Sequence, residues 1–99
     1  MNSFLSTLGL ARRAGKLLLG LKSIESYRKP VALILYAQDA SPRVKRVLGE
    51  RTDPCITLPL TKEQLGRSVG CSKAAVIAVI DAGFAGILRK KLELQEENE

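Results

Sequence analysis

Hydrophobic positions along the chain switch repeatedly between a helical and a strand rhythm. Phe4, Leu5, Leu8 and Ala11 share one helical face, with Ser3 as the expected N-cap and Gly15 as the stop. Arg12, Arg13 and Lys16 crowd the C-terminal end of that helix, where cations suit the helix dipole. Leu17, Leu18 and Leu19 read as a short strand ending at Gly20. A second helix is expected over residues 22–29, marked by Ile24 and Tyr27 and closed by Pro30, which disfavours helix in the residue before it. Residues 31–37, VALILYA, are apolar without alternation, as in a strand covered on both faces.

The second half continues the pattern. Ser41 as N-cap and Pro42 at the first position open a third helix, with Val44, Val47 and Leu48 facing inward and Arg43, Lys45 and Arg46 outward. Residues 56–60 form the next strand, placed toward an edge by Pro59. Thr61 and Gln64 have capping-box spacing and start a fourth helix that ends near Gly70. Residues 74–80, AAVIAVI, repeat the two-faced apolar strand. Asp81 caps a last helix whose stripe is Phe84, Ile87, Leu88 and Leu92, and residues 95–99 are expected to fray. Strands alternating with helices, two of them apolar on both faces, imply an α/β chain folded as a three-layer α/β/α sandwich with a mixed four-stranded sheet. Periodicity does not give the order of the strands.

At 99 residues the chain has room for one core, expected over residues 1–92, followed by an acidic tail at 93–99. The longest uncharged stretch, residues 1–11, is far short of the ~20 residues of a membrane span. That stretch also lacks the features of a secretory signal, so a cytoplasmic domain without a membrane partner is expected.

Charge changes the picture most. The net charge is +6, but four of the ten acids are Glu93, Glu96, Glu97 and Glu99. Residues 1–92 carry sixteen basic and six acidic side chains, a net of +10. Such a surface attracts polyanions, RNA and DNA first among them, although basic helix faces also serve solubility alone.

Catalytic chemistry finds little footing. The chain has no histidine, the commonest general base and metal ligand. Cys55 and Cys71 stand sixteen apart with no second pair, which speaks against zinc, and both read as small, partly buried apolar residues. Phosphate-binding and nucleophile-elbow motifs are missing. No catalytic residue, metal, cofactor or small-molecule substrate is expected.

Three segments could carry recognition. The first is Gly20, Leu21, Lys22 and Ser23, where a helix N-terminus can meet an anion, Lys22 adds charge and Gly20 admits close approach. A glycine before a helix also marks an ordinary turn. The second is Cys71, Ser72, Lys73 and Ala74, small residues beside one lysine, suited to a nucleobase or sugar and equally to a tight helix-to-strand turn. The third is the basic set of Arg12, Arg13, Lys16, Arg43, Lys45 and Arg46, which on most helices is a solvated face. The four aromatics, Phe4, Tyr27, Tyr36 and Phe84, mostly occupy core-like positions, so recognition would rest on phosphates and shape rather than stacking.

In this order the segments LGLARRAGK (8–16), LLLG (17–20), ALILYAQDAS (32–41), LTKEQLGRSVG (60–70) and AAVIAVIDAGFA (74–85) resemble the bacterial branch of the kink-turn-binding ribosomal protein family, the L-seven-Ae/L-thirty-e group. The resemblance covers residues 4–92 and is most specific at TKEQLG and the small-residue loop after it. It implies a single α/β/α domain that binds structured RNA, ribosomal RNA included, as a monomer and without catalysis. Kink-turn RNAs bend sharply at tandem sheared G·A pairs and crowd their phosphates, which a protein cation and a helix N-terminus offset. The family reads those pairs through an Asn-Glu pair and a later Lys, whose positions here hold Lys22, Ser23 and Ser26. Its second contact, the loop before the last strand, falls on Cys71, Ser72, Lys73 and Ala74, and an apolar residue often stands where Lys73 does. The resemblance also implies that Lys16 lies within reach of both segments. An interaction or ribosome-assembly module with the same fold is the competing expectation.

Overall fold

The structure, a computed structural model, describes residues 2–97, with side chains described as far as residue 94. The elements are α1 (Asn2–Arg13), β1 (Leu17–Leu19), α2 (Leu21–Ser26), β2 (Leu33–Tyr36), α3 (Pro42–Leu48), β3 (Cys55–Thr57), α4 (Lys62–Ser68), β4 (Val76–Val79) and α5 (Ala82–Glu97). The four strands form one sheet in the order β1-β4-β2-β3. Strand β4 is antiparallel to both neighbours, whereas β2 and β3 are parallel, so β1, β2 and β3 all point the same way.

Strand alternation divides the core into two. Leu33, Leu35, Ile77 and Val79 face a layer built by Phe4 and Leu8 of α1, Leu65 of α4, and Ala85 and Leu88 of α5. Ile34, Tyr36, Val76 and Ala78 face the opposite layer, with Ile24 of α2 and Leu48 of α3. Strands β2 and β4 are buried throughout, the reason their sequences show no alternation. The three-layer sandwich follows from this division. Among the described residues no helix is long and apolar enough to cross a membrane.

The local signals act as their chemistry requires, with instructive exceptions. Gly15, at φ 73°, closes α1 in a Schellman turn: the Lys16 N–H donates to the Ala11 carbonyl at 2.9 Å and the Gly15 N–H to that of Arg12 at 3.0 Å. Thr61 and Gln64 form the full capping box, and Asp81 Oδ2 accepts from the Phe84 N–H at 2.8 Å. Ser3, by contrast, lies inside α1, which begins at Asn2, and Ser41 precedes α3 without a side-chain cap bond. Helix α2 stops at Ser26 rather than residue 29, because Tyr27 turns extended and Arg51 takes over the carbonyls beyond. The guanidinium donates to Tyr27 at 3.0 Å and Lys29 at 2.9 Å while its Nε meets Asp53 at 2.5 Å.

Two burial expectations and one strand boundary are corrected. Ile87 is 48% exposed, and Ala85 joins the expected Leu88 on the inner face in its place. Cys55 is exposed because β3 is an edge strand, only three residues long, and Cys71 alone is half-buried. Residues 58–60 leave the strand before Pro59, although Leu58 and Leu60 still reach the core. Against the expected fraying over residues 95–99, the α5 backbone is helical to Glu97; residues 98–99 lie outside the described residues.

Candidate nucleic-acid interface

Because β1, β2 and β3 share a direction, α2, α3 and α4 all begin at one end of the sheet. Strand β4 enters at that same end, so the loop before it lies beside the start of α2. The Gly20 N–H donates to the Val76 carbonyl at 3.1 Å, and the Ala37 N–H to that of Ala75 at 2.9 Å. The start of α2 is thereby set beside the end of the loop that carries Ser72, Lys73 and Ala74, whereas Cys71 lies further down α4, bonded to Gly66. The two segments come from opposite layers and straddle the end of the sheet.

The three helix starts differ in how their N–H groups are used. At α4 the box at Thr61 and the Asp39 carboxylate, which accepts from the Lys62 N–H at 2.8 Å, occupy the donors. At α3 Pro42 has no N–H to offer. At α2 the N-cap is Gly20, at φ 86°, and no side chain caps the first turn. Leu21 is half-buried against the α2–α3 layer, whereas Lys22, Ser23 and Ser26 are exposed. This start joins an uncapped first turn to an exposed lysine; α3 is also without a side-chain cap, but its first N–H is lost to Pro42.

The facing loop is held down on α4. The Cys71 N–H donates to the Gly66 carbonyl at 2.8 Å, and the Ala74 N–H to that of Lys62 at 2.9 Å. Gly66 is buried in the helix and abuts the Lys73 backbone. Ala74 is buried, while Ser72 and Lys73 are exposed. Lys73 Nζ lies 3.9 Å from Glu63 Oε1, a loose and open pair that leaves the ammonium available. Cys71 Sγ packs 3.9 Å from Arg12 Nη1, which also donates to the Val69 carbonyl.

Lys16 is not brought to this cluster. Its carbonyl accepts from the Ile80 N–H at the opposite end of β1, four residues from Gly20, or about 13 Å of strand. The Schellman turn that ends α1 places it there, so its expected nearness to Gly20 is corrected. Sequence reasoning had no hold on Asp39 or Glu63, whose partners are set by topology. A glycine inside α4 was a readable signal for Gly66, since such a residue costs roughly 1 kcal/mol in a helix and usually has a packing reason. Among the described residues no group of three or more acidic, cysteine or histidine side chains could hold a metal.

No family model matches the chain. It is 36% identical over 96 residues to the RNA-binding protein YlxQ of Bacillus subtilis (strain 168), covering 87% of this chain and 91% of that protein. The chain belongs to the L-seven-Ae/L-thirty-e family, in its YlxQ branch. A solved structure of a Bacillus halodurans C protein with unknown function superposes with a TM-score of 0.73 at 33% identity, covering 88% of this chain and 93% of that one.

Proposed function

We propose that this protein is a non-catalytic binder of structured RNA, acting in the cytoplasm in association with the ribosome. Its contact surface is the end of the sheet formed by Gly20, Leu21, Lys22, Ser23 and Ser26 with Cys71, Ser72, Lys73 and Ala74. The relative named for RNA binding supports the class of ligand. The observation that carries the site is the uncapped start of α2, with an exposed lysine, set beside the exposed Lys73 loop.

The finer reading is a kink-turn. A sharp bend concentrates phosphates, and unsatisfied helix N–H groups flanked by two lysines are chemically suited to them. Lys22 has the reach for a guanine edge, whereas Ser23 and Ser26 accept or donate only at short range. That loss of reach favours the second reading, an interaction or assembly module that keeps the fold without bend recognition. A gel shift separates the two. Preference for a kink-turn duplex over a matched straight duplex is expected, and equal binding of both gives the second reading the advantage.

A further inference from the structure

Away from the sheet end, α1 and α4 enclose a groove of about 480 Å³ lined by Gly9, Arg12, Arg13, Ser68, Val69 and Gly70. Two arginines and no carboxylate face it. Arg12 is partly committed, since its Nη1 donates to the Val69 carbonyl. Arg13 is exposed, and neither arginine enters an ion pair among the described residues. Glycine shapes both walls. A Cβ on Gly9 would come 3.3 Å from the Ser68 carbonyl oxygen, and one on Gly70, at φ 78°, 3.4 Å from Arg12 Nη1.

The groove is joined to the candidate interface by one stretch of backbone. Gly70 lines it, and the chain then runs back along α4 to Ala74, whose N–H meets Lys62 at the sheet end. The path follows a helix of seven residues, about 10 Å long. Lys73 stands on this path, so cations occur at both of its ends. Apolar anchoring is poor, because Val69 is buried at 2% exposure and the remaining walls are glycine, serine and arginine. A protein partner needs a pocket for a large side chain, whereas a sugar-phosphate backbone needs charge and polar walls.

We propose that this groove is a second contact for the RNA backbone, filled by a helical arm that leaves the region bound at the sheet end. Arg13 is the phosphate contact, and Arg12 holds the groove wall. The inference rests on the RNA reading above and extends the bound length beyond it.

The test compares wild type, Arg13→Ala and Lys90→Ala, the last removing an exposed charge from α5. Binding is measured against salt for a kink-turn RNA with long arms and for the same bend with trimmed arms. Thermal unfolding confirms that the variants fold. Arg13→Ala should flatten the salt slope of log K by roughly 0.7–0.9 on the long-armed RNA and leave the trimmed RNA unchanged. Lys90→Ala should show no dependence on arm length. Equal effects of the two variants, an Arg13 effect that survives trimming, or no Arg13 effect overturns the proposal. Equal binding of bent and straight long-armed duplexes, with the arm-dependent Arg13 effect intact, would count against the kink-turn reading and support the groove.

Discussion

Gly66 lies so close beneath Lys73 that a methyl group would not fit between them: a Cβ on Gly66 would meet the Lys73 backbone at 2.7–2.8 Å. The lysine of the candidate interface is therefore positioned by the smallest residue of α4. Gly66→Ala should push the loop off the helix. Overpacking of this kind costs about 1–3 kcal/mol, outweighing the roughly 1 kcal/mol gained in helix propensity. Urea denaturation should show a net loss, and RNA affinity should fall in the folded variant. Unchanged stability would mean that the loop yields freely.

Lys22→Ala and Lys73→Ala address the interface directly. Each lysine that neutralises one phosphate contributes roughly 0.7–0.9 to the salt slope of log K, and each variant should lose about that much. If Lys22 also reads a guanine edge, its loss should narrow the gap between bent and straight RNA by ~1–3 kcal/mol, a magnitude taken from DNA base contacts. Glu63→Gln, which releases Lys73 from its loose pair, should tighten binding slightly at low salt. Binding titrations across a salt series check all three.

Leu35 is fully buried in the middle of β2. Leu35→Ala should cost about 2–5 kcal/mol, against a total of about 5–15 kcal/mol for a domain of this kind. Chemical denaturation at constant m-value reads the difference.

Tyr36 supplies a pH dependence. Burial first, and then the nearby Cys55 charge, raise its phenol above the usual tyrosine value. A raised pKa means that the folded state favours the neutral ring. The stabilisation is complete below the unfolded value of about 10 and is lost as pH rises through the higher folded value. Tyr36→Phe should remove that part of the alkaline decline while leaving the profile between pH 6 and 9 flat. Denaturation midpoints at several pH values, compared between the two proteins, test it.

The central strands were legible because burial on both faces leaves no polar position in residues 33–36 or 76–79. The capping box at Thr61 and the stop at Gly15 were equally plain, since each completes its bonds within a few residues of chain. What escaped depends on distant partners. The early end of α2 is set by Arg51, more than twenty residues away, and the exposure of Ile87 by how α5 rotates against α1 and the sheet. The resemblance implied that Lys16 lies near Gly20, but a full strand length separates the two. The two candidate segments were readable as junctions, but their meeting the same end of the sheet required the antiparallel pairing of β1 with β4.

That pairing has a consequence for biosynthesis. Strand β4 is the last strand made and yet occupies the middle of the sheet, between β1 and β2. Until residues 76–79 leave the ribosome, β1 has no strand to pair with, and the Gly20 N–H lacks its Val76 acceptor. Contacts of such long sequence separation form late and slowly. A nascent chain carrying α2 and Lys22 therefore emerges before the surface that would display them is assembled, and insertion of β4 is the step that turns a basic polypeptide into a shaped cationic surface.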